Sequence, residues 1–168
     1  DHRMPNTCSH CKDALTITAP TARHGSTGRD VVCTTCHRRV TIVDYTVAHI
    51  LVIDSNNIVR GALRKLLANS GHEMMGAPNA EAGLASYRTS PADVVLVDMM
   101  TPDTNGLEFI RLCRKEFPQA RIVAMPGQRR AATPDPLPLA TSLGVVQTLR
   151  KPFSQGEVLQ VLDELLER

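Results

Sequence analysis

From Ala48 onward, short β-branched runs alternate with segments of helical period, and this alternation constrains the fold more than any other feature. "HILVID" and "ADVVLVD" carry unbroken apolar stretches, as expected of strands covered on both faces. "ARIVAM" and "GVVQTL" are further strands, and "HEMMGA" is a weaker one. Between them, "NNIVRGALRKLLANSG" places Ile58, Val59, Ala62, Leu63, Leu66 and Leu67 at helical spacing, with Gly71 as the stop. "NAEAGLASYRTS" is a helix opened by Asn79, and "TNGLEFIRLCRKEF" is one that ends before Pro118. "SQGEVLQVLDELLER" is a closing helix capped by Ser154. Five strands alternating with helices predict an α/β fold with a doubly wound parallel sheet. The poorest element is "GQRRAATPDPLPLATSLG", where Pro134, Pro136 and Pro138 leave only residues 137–143 free to be helical.

Residues 4–45 obey a different logic. "ALTIT" and "RRVTIVDY" read as small strands around a loop, "TARHGSTGRD", and so little apolar sequence cannot hold itself together. The missing stability is expected from a metal. Cys8-Ser-His-Cys11 and Cys33-Thr-Thr-Cys36 are two C-x-x-C pairs, and each turn can aim two thiolates at one tetrahedral ion. Four thiolates make a closed, structural Zn²⁺ shell whose binding is coupled to folding. His10 and His37 adjoin the cysteines as substitute ligands. Disulfides are the competing reading, disfavoured because nothing suggests export. A redox dithiol is disfavoured because neither pair opens a helix. The segment resembles the zinc-ribbon family, whose members bind nucleic acid or protein. Arg23, Arg29, Arg38 and Arg39 permit the first, but Tyr45 is the segment's sole aromatic, so protein contact is favoured. Cys113, in an apolar stretch of a helix, is expected to be buried and inert.

The formal net charge of +2 says little about partners, and the excess lies before Val47. No run approaches the roughly 18 apolar residues of a membrane helix, and no basic–apolar–small leader is present, so a cytoplasmic setting is expected.

In an open parallel sheet, ligands bind beyond the carboxyl ends of the strands. Asp54 follows one strand, Asp98 ends another, and Lys151 follows the last in "TLRKPF". With strand order 2-1-3-4-5 these ends converge. "ILVID", "DVVLVDMMTPDTNG" and "LRKPF", in this order and spacing, resemble the response-regulator receiver family over residues 48–168. The resemblance implies a flavodoxin-like fold and two-component signalling. It further implies that Asp98 accepts a phosphoryl group from the phosphohistidine of a histidine kinase or phosphotransfer protein. By the same resemblance Mg²⁺ is held by Asp54, Asp98 and the backbone carbonyl of Met100, and Lys151 pairs with the acceptor. Pro152 matches a proline whose preceding bond is commonly cis, and Gly106 a position of unusual backbone beside Asp98.

Three positions depart from the pattern. The family has a second acid where this chain has Ser55, so magnesium affinity should fall, with Asn56 a partial substitute. A Ser or Thr hydroxyl after the fourth strand is replaced by Pro126, and an aromatic in the fifth strand by Thr148. The leading expectation is therefore an atypical receiver, not an enzyme, signalling through a downstream protein. One alternative is a phosphorylation-independent pseudo-receiver. Another is a zinc-ribbon nucleic-acid binder regulated by the receiver. A flavodoxin-like enzyme is disfavoured because no Gly-rich phosphate loop follows the first strand.

Overall fold

The computed structural model describes residue 11 and residues 28–43, 47–99, 105–127 and 135–166. They fall into two compact units, one preceding Val47 and one spanning Val47–Leu166. In the first unit, β1 (Gly28–Val32) pairs antiparallel with β2 (Arg39–Val43), with Gly28 opposite Val43 and Val32 opposite Arg39. The connecting turn is closed by two bonds of 2.9 Å, from Cys33 N to the Arg38 carbonyl and from His37 N to the Cys33 carbonyl. The loop expected through Asp30 is thus corrected: pairing with β2 satisfies the backbone from Gly28 onward. The expected "ALTIT" strand lies outside the described residues.

The second unit runs β3 (His49–Ile53), α1 (Asn57–Asn69), β4 (Glu73–Ala77), α2 (Ala80–Thr89), β5 (Val94–Asp98) and α3 (Gly106–Glu116). It continues through β6 (Ile122–Met125), α4 (Leu137–Ser142), β7 (Gln147–Thr148) and α5 (Gln155–Leu166). The sheet order is β4-β3-β5-β6-β7, all parallel, which is 2-1-3-4-5 when this unit's strands are numbered alone. Alternation along the strands makes two cores. Leu51, Ile53, Val95 and Val97 pack with Leu84, Phe109 and Ile110 of α2 and α3. Ile50, Val52, Val94 and Leu96 pack with Leu63 and Leu67 of α1 and Leu162 of α5.

Local chemistry sets the helix ends. Asn56 Oδ1 accepts from Ile58 N and Asn79 Oδ1 from Ala82 N, each at 2.9 Å. At α5, the Ser154 hydroxyl accepts from Glu157 N at 3.2 Å, and Glu157 accepts from Ser154 N at 2.7 Å, a reciprocal capping box. As the prolines dictate, α4 is a six-residue stub. The last strand is shorter than its sequence suggests, with only Gln147 and Thr148 in strand geometry. No described helix is long and apolar enough to cross a membrane.

Candidate functional site

The carboxyl edge of the sheet gathers the three groups that the sequence separates. Asp54 immediately follows β3 and Asp98 is the last residue of β5; each is 1% exposed. The strands pair directly, so their ends are neighbours. Lys151, in the connection from β7 to α5, reaches into the gap between them. Its Nζ donates to Asp54 Oδ2 at 2.5 Å and to Asp98 Oδ1 at 2.9 Å. The Lys151 side chain is 21% exposed, so of the three groups it is the one in contact with solvent. The peptide bond from Lys151 to Pro152 is cis.

Backbone contacts fix these groups in place. Asp54 N donates to the Ala77 carbonyl at 3.1 Å, and Asp54 Oδ1 accepts from Asn56 N at 2.9 Å. Lys151 N donates to the Pro126 carbonyl at 2.8 Å. Every buried side-chain nitrogen and oxygen among the described residues has a partner. With both acids ionised the triad carries one net negative charge, which favours a further cation.

One residue joins the site that sequence reasoning did not place there. Arg60, in the first turn of α1, donates Nη1 to the backbone carbonyl of Asp54 at 2.5 Å. Its stem passes Gly76 of β4, where an added Cβ would lie 3.5 Å from Cδ. A signal existed: a helix starting after only three intervening residues returns its first turn over the strand end. Gly106, in contrast, has its expected role corrected. The left-handed residue is Asn105, at φ 49° and ψ 45°, and Gly106 is absent from the positive-φ positions. Gly106 is needed because a Cβ there would run into the Asp98 carbonyl oxygen, so α3 starts against the end of β5.

Asn56 does not substitute for the missing acid through its side chain, whose oxygen caps α1. Ser55 is half-buried beside Asp54. Pro126 is buried at the end of β6 and Thr148 is exposed on β7. Met100 lies outside the described residues.

The first unit has its own cluster. Cys11, Cys33 and Cys36 place their sulfurs within 4.8 Å of one another, close enough to share one metal ion. Cys11 Sγ and Cys33 Sγ are 3.6 Å apart, near the roughly 3.8 Å edge of a tetrahedron of thiolates around zinc. Cys33 is 2% exposed, yet its thiol is held below the ordinary range because the Cys36 N–H donates to its sulfur, outweighing burial. Cys8 and His10 lie outside the described residues. Cys113 is fully buried in α3, and burial pushes its thiol up to about 11, so it is inert.

Acids at two neighbouring strand ends, bridged by a lysine from a third connection, define a receiver-type signalling domain. The chain belongs to the response regulator receiver domain family, whose model matches residues 50–163. It is a receiver domain of two-component signalling. It is 32% identical over 119 residues to the DNA-binding transcriptional regulator NtrC of Azospirillum brasilense, covering 71% of this chain and 24% of that protein. It is 25% identical over 117 residues to the chemotaxis protein CheY of Thermotoga maritima, covering 69% of this chain and 95% of the relative. Thus it spans about a quarter of the NtrC relative and nearly all of the CheY one. Among solved structures, a receiver domain protein of Clostridium thermocellum superposes with a TM-score of 0.64 at 26% identity, covering 73% of this chain and 96% of that one. A CheY-like receiver of Methanospirillum hungatei, at 21% identity and TM-score 0.66, shares the fold over 73% of this chain and 95% of its own.

Proposed function

We propose that this chain is an atypical receiver in which Asp98 accepts a phosphoryl group from a phosphohistidine, with output passed on by protein contact. The observation that carries this reading is the Lys151 ammonium held between two buried carboxylates, Asp54 and Asp98. An Asp98 carboxylate oxygen attacks phosphorus, the donor's P–N bond breaks, and its electron pair stays on the imidazole nitrogen, which takes up a proton from water. The product is an acyl phosphate. Lys151 orients the acid beforehand and, from the same position, can neutralise a phosphoryl oxygen afterwards. Gly106 lets α3 begin against the acceptor strand, and Arg60 holds the chain at Asp54.

The residues present fit a magnesium ion, since two carboxylates share one amine and leave negative charge for a hard cation. Asp54 and Asp98 would hold it, with the Met100 carbonyl as third protein ligand. When bound, Mg²⁺ neutralises charge on the phosphoryl oxygens. Ser55 supplies no charge, so the ion is expected to bind weakly. For the first unit the proposed metal is a structural zinc ion held by the cysteine thiolates. The protein then acts in the cytoplasm as a phosphoryl acceptor between a histidine kinase or phosphotransfer protein and a downstream protein, not as an enzyme.

The test is incubation with Mg²⁺ and a small phosphodonor, read by intact mass and by amide NMR with beryllofluoride. The expected result is one added phosphoryl group, lost in Asp98→Asn. An unmodified mass and an unchanged spectrum favour the second reading, a phosphorylation-independent pseudo-receiver. Pro126 supports that reading, because its buried ring offers neither hydroxyl nor N–H to a phosphoryl group.

A further inference from the structure

We infer that His37 sets the affinity of the cysteine metal site through its backbone conformation and not as a ligand. The inference rests on the zinc reading of Cys11, Cys33 and Cys36 proposed above. The turn from Cys33 to Arg38 carries two of the cluster's three described thiols, and a pair of backbone bonds closes it. His37 N donates to the Cys33 carbonyl at 2.9 Å, and Cys33 N donates to the Arg38 carbonyl at 2.9 Å. For both bonds to form, the chain must reverse immediately after Cys36. It does so at His37, whose φ is 56°, in the left-handed region that Gly enters freely, Asn, Asp and His enter more readily than most residues, and β-branched residues resist.

The sulfur positions follow from this reversal. The Cys36 N–H donates to Cys33 Sγ, so the turn aims backbone donors at one thiolate and places Cys33 and Cys36 in one cluster with Cys11. The His37 side chain is exposed, and among the described residues the cluster of ligand atoms within 4.8 Å consists of the sulfurs of Cys11, Cys33 and Cys36 and does not include the His37 imidazole. A residue at position 37 therefore acts on the metal by deciding how readily the turn forms, which makes it a positioning residue.

The experiment measures zinc affinity of the full chain by competition with a chromophoric chelator, for wild type, His37→Gly, His37→Asn, His37→Val and Cys33→Ser. The Gly variant is expected to bind at least as tightly as wild type and the Asn variant within about threefold, because both tolerate positive φ. The Val variant is expected to bind about tenfold more weakly, because a β-branched residue resists that conformation. Weakened binding in both Gly and Asn variants would instead make the imidazole a ligand and overturn the inference. Equal affinity across all three His37 variants would overturn it too, by showing that the turn does not limit the site. If wild type and Cys33→Ser bind zinc equally poorly, the zinc reading itself fails, a result distinct from either of those.

Discussion

Lys151→Met tests whether the ammonium between Asp54 and Asp98 holds the sheet edge together. Methionine keeps most of the side-chain volume and removes the charge, so the two carboxylates, each 1% exposed, are left facing one another. In the wild type the amine donates to both, at 2.5 Å and 2.9 Å. Removing one partner of a buried ion pair costs about 3–5 kcal/mol, because the remaining charge is uncompensated. The lysine side chain is 21% exposed, so solvent screens part of the attraction and the lower end, about 3 kcal/mol, is appropriate. For a unit of this size that corresponds to a Tm lowered by about 10 °C. The assay is urea unfolding of wild type, Lys151→Met and the Lys151→Met/Asp98→Asn double variant, with and without Mg²⁺. Neutralising Asp98 removes the repulsion, so the double variant is expected to regain at least half of the lost stability. Added Mg²⁺ is expected to narrow the gap between Lys151→Met and wild type, since a cation then replaces the amine. Wild-type stability in Lys151→Met, or no recovery in the double variant, would refute the account.

Gly106→Ala places a methyl group against the Asp98 carbonyl oxygen, and because that neighbour is backbone it cannot swing aside. A loss of about 2–3 kcal/mol in denaturant unfolding is expected, with amide shifts centred on Asp98; a neutral substitution would show that α3 retreats freely. Ser55→Asp restores an acid beside Asp54 and is expected to tighten Mg²⁺ binding about tenfold by calorimetry, equivalent to about 1.4 kcal/mol. Unchanged affinity would mean that the position does not face the ion. His72 gives the pH dependence: burial lowers its basicity, and its Nδ1 accepts from Ala48 N at 3.3 Å. The unfolded chain then takes up the proton more readily, so the stability is present above the ordinary histidine value near 6.5 and lost as pH falls through the lowered folded value. His72→Gln should flatten this part of the stability profile below pH 7, and an unaltered slope would assign it to another group.

The sheet was legible because each inner strand is covered on both faces, which writes an unbroken apolar run into "ILVI" and "VVLV". The site was legible by topology alone: Asp54 and Lys151 are 97 residues apart, and only the parallel winding makes them neighbours. What sequence could not supply were features decided by close approach. Gly106 looks like a turn glycine, but its requirement is set by the distance from α3 to the Asp98 carbonyl. Asn105, one residue earlier, takes the left-handed conformation instead. Asn56 looked like a spare oxygen for a metal, yet its spacing before α1 makes it a helix cap. The first strand of the hairpin was hidden because "GRDVV" has too few apolar residues to declare itself, and pairing with β2 is what makes it a strand.

Under the proposed function, the site separates the chemistry of phosphoryl acceptance from a side-chain hydrogen bond that would report it. Acid, acid and amine are in contact, so a group added at Asp98 must compete for the Lys151 ammonium. A bound group shifts a conformational equilibrium only as far as it interacts differently with the two states. Pro126 offers no side-chain hydrogen bond to such a group, and Thr148 is exposed on a two-residue strand, so neither provides that difference. Lys151 does, because its amine touches Asp98 while its own N–H is bonded to the Pro126 carbonyl. Under the proposed function, redistribution of that one ammonium is therefore the route from Asp98 to the end of β6. It follows that Lys151→Arg, which keeps the charge but changes the reach, should accept the phosphoryl group while altering the amide shifts at Met125 and Gly127. Wild-type shifts at those residues after phosphorylation of Lys151→Arg would place the route elsewhere.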